Sequence, residues 1–311
     1  MAKFWRKVDH IVPAEDSATA CLPPMPIIVG SPRSGTTLLR FMIDAHSDLA
    51  IPPETGFLTP SEKLRGRGKK LREKFFQMVV NYSQPLRSWE DFEISEEDFW
   101  AALSEITPFS ISEGYRTFYR LYAARRGKSR WGDKTPIYCR YINSIRKVLP
   151  EARFIHIIRD GRDAALSLRR MWFSPGWEIE TQASFWRDCV LAARSAGVGR
   201  DDYMEVRYED LILNTREVLK RVCDHVALTY EDALLDYYIQ APERLREHKG
   251  RLLPDGTTVL TQEQRFQQQQ RTTKPPDPNC VFAWKQTMDI DEKRRFQLVA
   301  GDLLKDLGYE V

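Results

Sequence analysis

The chain has 311 residues, about twice the modal domain length, and its 42% hydrophobic and 11% aromatic content excludes a disordered polypeptide. Lys and Arg number 47 against 44 Asp and Glu, a net charge of +3 with both signs interspersed. So small a surplus gives no bulk argument for nucleic-acid binding, and any anion site must be local. Five widely spaced cysteines, Cys21, Cys139, Cys189, Cys223 and Cys280, form no C-x-x-C pair. That argues against a disulfide framework and a zinc site, and no metal is expected. The basic residues of Met1 to Lys7 run into Val8-Asp9-His10 without an apolar core, and no run of ~18 apolar residues follows. The expectation is a cytoplasmic protein with no transmembrane segment.

In chain order, Pro23-Pro24-Met25-Pro26 ends an irregular arm, and Ile27-Ile28-Val29, stopped by Gly30, has the pattern of a buried parallel strand. Leu38, Leu39, Met42 and Ile43 then recur at helical spacing. Strand, glycine loop and helix stand in the order of a mononucleotide-binding unit. A second apolar run at Leu49 to Ile51 follows. From Pro60 to about Arg130, charged residues with scattered aromatics, broken at Pro85 and Pro108, predict a helical insertion of approximately 60–130. Ile137, Tyr141, Ile145, Val148 and Leu149 share one helix face, closed by Pro150, and Phe154 to Ile158 is a second buried strand. Gly161 opens a helix with Ala164, Ala165 and Leu168, and Trp186, Cys189, Val190 and Ala193 mark another. Tyr203 to Arg207 can be a third strand, before a helix capped by Asn214 or Thr215. Residues 241–280 have no sustained period and are expected to be a long flexible loop. Phe296, Val299, Ala300, Leu303 and Leu307 make a last helix, stopped at Gly308. The fold class is α/β in one domain spanning 1–311.

Gly30-Ser-Pro-Arg-Ser-Gly35-Thr36-Thr37 has the two glycines of G-x-x-x-x-G-K-[ST], but Thr36 stands where the Walker lysine belongs. A glycine loop before a helix still offers backbone N–H groups and the helix N-terminus to an anion. Arg33 supplies a fork of donors in place of the lysine. An ordinary βα turn is the plainer alternative. Arg159, at the exit of a buried strand, and Ser167, eight positions on in the next helix, fall near the sheet edge where α/β folds bind ligands. An Arg–Asp surface pair and a helix-interior serine would explain them separately. His156, inside a strand, reads as a core residue.

Ser31-Pro-Arg-Ser-Gly-Thr-Thr-Leu-Leu-Arg40, with Asp44-Ala-His46 and Glu54-Thr55, resembles the phosphosulfate loop and following segment of sulfotransferases that use 3′-phosphoadenosine 5′-phosphosulfate (PAPS). Within that family it is most similar to protein-tyrosine sulfotransferases and their bacterial relatives. The resemblance implies a P-loop-type parallel sheet flanked by helices, with Arg33, Ser34, Gly35, Thr36 and Thr37 holding the 5′-phosphosulfate. Phe154 to Ser167 matches a second family segment, which implies Arg159 and Ser167 on the 3′-phosphate. Trp131-Gly-Asp-Lys134-Thr-Pro136 matches a third, in which Lys134 stabilises charge on the departing phosphate. The resemblance also implies Glu54, 21 residues after Arg33, as the general base. It places Tyr208 near the nucleotide and Lys285, of Phe282-Ala-Trp284-Lys285, closing over it, with Arg265 and Arg271 as further loop candidates.

The expected function is therefore PAPS-dependent transfer of a sulfuryl group to a hydroxyl, less readily an amine. The acceptor would be a small molecule, lipid or glycan, with a peptide tyrosine as a further option and no nucleic acid. Trp172, Phe173, Trp177 and the aromatics of the insertion could line an apolar acceptor pocket. The rival readings are a P-loop kinase or NTPase, with Arg159-Asp160 as a degenerate Walker B, and a non-catalytic module that binds 3′-phosphoadenosine 5′-phosphate.

Overall fold

The computed structural model describes residues 22–59, 63–83 and 86–311. Expectations attached to the basic N-terminus, to Cys21 and to the breaks at Pro60 and Pro85 lie outside these residues. The described chain opens with β1 (Met25–Val29), α1 (Thr36–Asp44) and the short β2 (Leu49–Ala50). The helices α2 (Gly68–Val80), α3 (Glu96–Ser104) and α4 (Ile111–Arg125) follow. Next come β3 (Arg130–Trp131), β4 (Asp133–Lys134), α5 (Ile142–Val148), β5 (Ala152–Ile158), α6 (Gly161–Leu168), α7 (Ile179–Gly197) and β6 (Tyr203–Arg207). The rest is α8 (Tyr208–Leu213), α9 (Thr215–His225), α10 (Ala241–Leu245), the hairpin β7 (Arg251–Leu252) and β8 (Thr258–Leu260), α11 (Gln262–Gln269), α12 (Trp284–Thr287) and α13 (Ile290–Asp306).

The central sheet has the order β4-β1-β5-β6, and every neighbouring pair is parallel. Parallel strands joined through helices are covered on both faces, which is why β1 reads as an unbroken apolar run and β5 as one interrupted only by Arg153 and the buried His156. Successive side chains alternate between two cores: Ile28, Ile155 and Ile157 pack with Leu39, Met42 and Ile43 of α1 and Val218, Leu219 and Val222 of α9. Ile27, Val29 and Phe154 pack on the opposite face with Ile142 and Ile145 of α5 and Cys189 and Ala193 of α7. The P-loop-type parallel sheet flanked by helices is thus the observed architecture.

The aromatics of 60–130 mostly join the core instead of lining a pocket. Phe75, Phe92, Phe99 and Phe118 are each at most 1% exposed, as is Phe57 just before the segment, and the rings of Phe57 and Phe92 meet that of Phe118 edge-on at 4.9 and 5.0 Å. Such aromatic pairs add to the burial of their area. Trp172, Phe173 and Trp177 are exposed. His156 is a core residue as read: it is fully buried, its Nδ1 lies 2.6 Å from the Tyr203 hydroxyl, and burial pushes its pKa down to about 3. The four described cysteines, Cys139, Cys189, Cys223 and Cys280, are free.

Two expectations about local structure need correction. The helix read over Ile137 to Leu149 is a 3-10 turn, Pro136–Arg140, followed by α5, with a break at Tyr141, where φ is −128°. The break leaves Tyr138 free to point its hydroxyl back at Thr55 and the Leu58 amide. Residues 241–280, read as a loop, hold α10, the hairpin and α11. The last starts at a capping box, in which the Thr261 hydroxyl accepts from the Gln264 amide and the Gln264 side chain accepts from the Thr261 amide. No buried residue lies in α11, so it carries no apolar period to find.

Candidate functional site

At the C-terminal edge of β1 the chain turns on two glycines. A Cβ at Gly30 would stand 2.5 Å from the Ile157 carbonyl oxygen, so β1 and β5 can leave the sheet together only with glycine here. Gly35 has φ +96°, and a Cβ there would lie 2.4 Å from the Tyr208 ring. Gly35→Ala is expected to cost about 1–3 kcal/mol from the backbone conformation alone, read as a lower urea midpoint, and to displace Tyr208 from the loop. An unchanged midpoint would show that the turn can open without loss.

Gly35 is also the N-cap of α1, with no side-chain cap on the helix and no acidic residue in its first turn. The orphan amides there and the positive end of the helix dipole are left to attract an anion. The side chains agree. Thr36 and Thr37 are buried, and the buried hydroxyls of Ser31 and Ser34 have no hydrogen-bond partner among the described residues. Buried polar groups without partners are rare, and an anion in the loop would satisfy both.

Lys134 reaches this helix end from β4, where it pairs with Ile28 in the parallel register. Its ammonium donates to Thr37 Oγ1 at 3.2 Å and to Glu54 Oε1 at 2.5 Å. The Lys134 side chain is 1% exposed and that of Glu54 53%, so the pair joins a buried cation to a carboxylate open to solvent. Burial lowers the Lys134 pKa from its ordinary value, and Glu54 counteracts that.

The Glu54–Lys134 geometry is fixed by the neighbours of both residues. Thr55 donates its hydroxyl to Asp133 Oδ2 at 2.6 Å, and its amide donates to Thr135 Oγ1 at 3.1 Å. Tyr119 donates to the same Asp133 oxygen at 2.8 Å. The residues flanking Lys134 therefore hold the residue after Glu54. On the other side, Arg40 and Arg244 each donate to the Ile51 carbonyl at 3.0 Å. Arg244 also binds Asp44 at 2.8 Å and the Tyr122 hydroxyl at 2.8 Å, and pairs with Glu247. This buried network was absent from the predicted site.

The second predicted cluster also assembles. Arg33, itself at φ +69°, donates from Nε to Ser167 Oγ at 3.0 Å. Arg159 donates to the Arg33 carbonyl at 3.3 Å, and its guanidinium lies 4.5 Å from the centre of the Tyr208 ring. Burial first, and then the charge of Arg159, lowers the Arg33 pKa. Two like-charged guanidiniums held together make a site for an anion. Arg159 Nε is buried and unpartnered among the described residues. The segment from 262 to 281 lies against this cluster: Gln268 O accepts from Arg33 at 3.3 Å and Cys280 O from Arg159 at 3.0 Å.

The structure thus brings together Arg33, Ser34, Gly35, Thr36, Thr37, Glu54, Lys134, Arg159, Ser167 and Tyr208. Lys285 stands apart, its ammonium 2.5 Å from Glu310 and beside the Phe282 and Trp284 rings. Arg265 is committed to Asp91 at 2.9 Å, whereas Arg271 donates to Cys280 Sγ at 3.3 Å, beside the Arg159 partner. Asp160 caps α6 through the Arg162 amide and pairs with the Arg162 guanidinium at 2.8 Å. Among the described residues no group of His, Cys, Asp and Glu is set to hold a metal.

The family model described as "Sulfotransferase family" matches residues 24–232. Nodulation protein NoeE of Sinorhizobium fredii is 27% identical over 92% of this chain and 67% of its own length. The protein-tyrosine sulfotransferase of Drosophila melanogaster is 25% identical over 69% of this chain, which spans only 40% of that protein. Among solved structures, the sulfotransferase domain from the curacin biosynthetic pathway superposes with a TM-score of 0.59 at 21% identity, covering 93% of this chain and 99% of that one. The sulfotransferase domain from the Synechococcus PCC 7002 olefin synthase gives 0.55 at 24% identity, covering 96% and 98%. These two share the fold.

Proposed function

The chain belongs to the sulfotransferase family and is a transferase, and from that premise we propose that it moves a sulfuryl group from PAPS to an acceptor hydroxyl. The observation that carries this reading is the Lys134 ammonium held between Thr37, in the uncapped first turn of α1, and the open carboxylate of Glu54. The residues present fit the donor. The unpartnered hydroxyls of Ser31 and Ser34 suit a phosphosulfate, and the paired Arg33 and Arg159 with Ser167 suit a second phosphate.

When bound, PAPS supplies a sulfuryl group on a phosphate leaving group. In this reading the α1 amides, Ser34, Thr36 and Thr37 orient that group, and Arg159, Ser167 and Tyr208 hold the nucleotide. Arg33 serves both. Glu54 takes the acceptor O–H proton as the oxygen bonds to sulfur. Lys134, a buried cation, stabilises the negative charge left on the phosphate oxygen when the S–O bond breaks, where a fixed charge acts in a low dielectric. Acceptors of the small-molecule, lipid or glycan class, or a peptide tyrosine, would meet Glu54 from its solvent side.

A nucleotide triphosphatase fits less well, because Thr36 replaces the Walker lysine and both oxygens of Asp160 are engaged by Arg162. Calorimetry in EDTA tests the donor assignment. 3′-Phosphoadenosine 5′-phosphate is expected to bind more tightly than ADP, and Arg159→Ala to weaken it by ~1.5–3 kcal/mol, the range for a hydrogen bond to a charged group. Adenosine 5′-phosphosulfate, which lacks the 3′-phosphate, should lose little. Equal or tighter binding of Mg-ATP by the wild type, titrated separately with Mg²⁺ and without EDTA, would overturn the assignment.

A further inference from the structure

The charge of this chain is unevenly placed. Residues 63–74 hold the cations Lys63, Arg65, Arg67, Lys69, Lys70, Arg72 and Lys74 against the single carboxylate of Glu73. That segment is +6 in a chain of +3, which leaves the rest at −3. All of these cations except Arg72 are exposed. Arg72 alone turns inward, donating to the Ile106 carbonyl at 2.7 Å and lying over the Phe109 ring.

Lys69 and Lys70 also occupy the first turn of α2, which has neither a side-chain cap nor an acidic residue. Cations at the positive end of a helix are electrostatically unfavourable, and local rules are broken most often where a partner compensates them. Lys69 pairs only loosely with Glu73, at 4.0 Å with both side chains well exposed.

The same row of α2, Lys69, Glu73 and Gln77 at helical spacing, borders an apolar cleft of about 350 Å³ against α3, lined by Glu73, Phe76, Gln77 and Trp100. The Phe76 and Trp100 rings meet edge-on at 5.2 Å, and both are partly accessible. A ligand that fits both features carries negative charge at one end and an aliphatic part at the other. Nucleic acids and anionic glycans bring no aliphatic part.

We propose that this surface docks peripherally on an anionic phospholipid bilayer, with headgroups on the cations of residues 63–74 and an acyl chain against Phe76 and Trp100. No helix among the described residues is long and apolar enough to cross a membrane, so the contact is made from the surface. Clustered Lys and Arg residues near an acidic leaflet add attraction roughly in proportion to their number, within a Debye length. The inference is independent of the donor and acceptor chemistry.

The test is co-sedimentation of the full chain with vesicles of phosphatidylcholine alone or mixed with phosphatidylglycerol. Binding to the mixed vesicles only, weakening with added salt, is expected. The double variant Lys69→Gln/Lys70→Gln should lower the partition coefficient roughly 30-fold with a melting temperature unchanged or slightly raised, since two cations leave the positive end of α2. Trp100→Ala should weaken binding without altering its salt dependence. Absence of binding to the mixed vesicles would overturn the proposal, as would binding indifferent to Lys69 and Lys70. Retention on heparin or DNA without vesicle binding would also overturn it, in favour of a soluble polyanion.

Discussion

Glu54→Gln is expected to lower turnover by ~10²–10⁴-fold, the usual share of general-base catalysis, while nucleotide affinity and melting temperature stay near wild type. Glutamine keeps the size of the side chain, and its carbonyl can still accept from Lys134, so the Thr55–Asp133 tie should hold the backbone in place. What disappears is the proton acceptor and its charge. That charge has a second effect, because Glu54 offsets the burial that lowers the Lys134 pKa. Without it Lys134 loses its proton at a lower pH, and the alkaline fall in affinity for 3′-phosphoadenosine 5′-phosphate should move toward neutrality. Turnover of a hydroxyl acceptor and nucleotide affinity, both followed across pH, separate the two effects. Turnover within a few-fold of wild type would reduce Glu54 to an anchor for Lys134.

The parts of this protein that were readable from sequence are those in which neighbours in the chain share one job. β1, the glycine loop and α1 follow each other without interruption, and apolar runs buried on both faces identify β1 and β5. The candidate site was legible through its resemblance, since Arg33, Lys134, Arg159 and Ser167 sit in short contiguous motifs. β4 was not: Asp133 and Lys134 have no apolar period, and they form a strand only because β1 offers an edge. Arg40 and Asp44 were visible as part of the resembling segment, but their partners, Glu247 for Arg40 and Arg244 for Asp44, lie about two hundred residues further on, in a stretch without periodicity. No local pattern announces a buried charge whose compensation is supplied from so far away. Lys285 differs: its motif matches, and its exposed side chain lies at the surface beside Glu310.

Arg244→Met is expected to destabilise the protein by about 3–5 kcal/mol, the cost of leaving a buried carboxylate without its partner. The Arg244 side chain is 8% exposed and those of Asp44 and Glu247 4% each, so water cannot replace the lost guanidinium. The pH dependence follows from Asp44. Burial alone would raise its pKa, but Arg244, Lys128 and Arg40 outweigh burial and hold it below the ordinary value. A carboxylate with a depressed folded pKa stabilises the protein above its unfolded pKa, and that contribution fades as pH falls through the folded value. In the variant one cation is gone, the Asp44 pKa moves up, and less remains to be lost on acidification. The gap between the two proteins should therefore be widest near neutrality and narrow through the carboxylate range. Urea midpoints at a series of pH values measure it. The double variant Asp44→Asn/Arg244→Met removes the stranded charge while keeping an acceptor for the Ile51 amide, which donates to Asp44 Oδ1 at 2.6 Å. It should recover a good part of the loss. A gap that stays constant with pH, or a double variant no more stable than Arg244→Met, would mean that the cost is one of packing around the arginine stem and not of the charge it leaves behind.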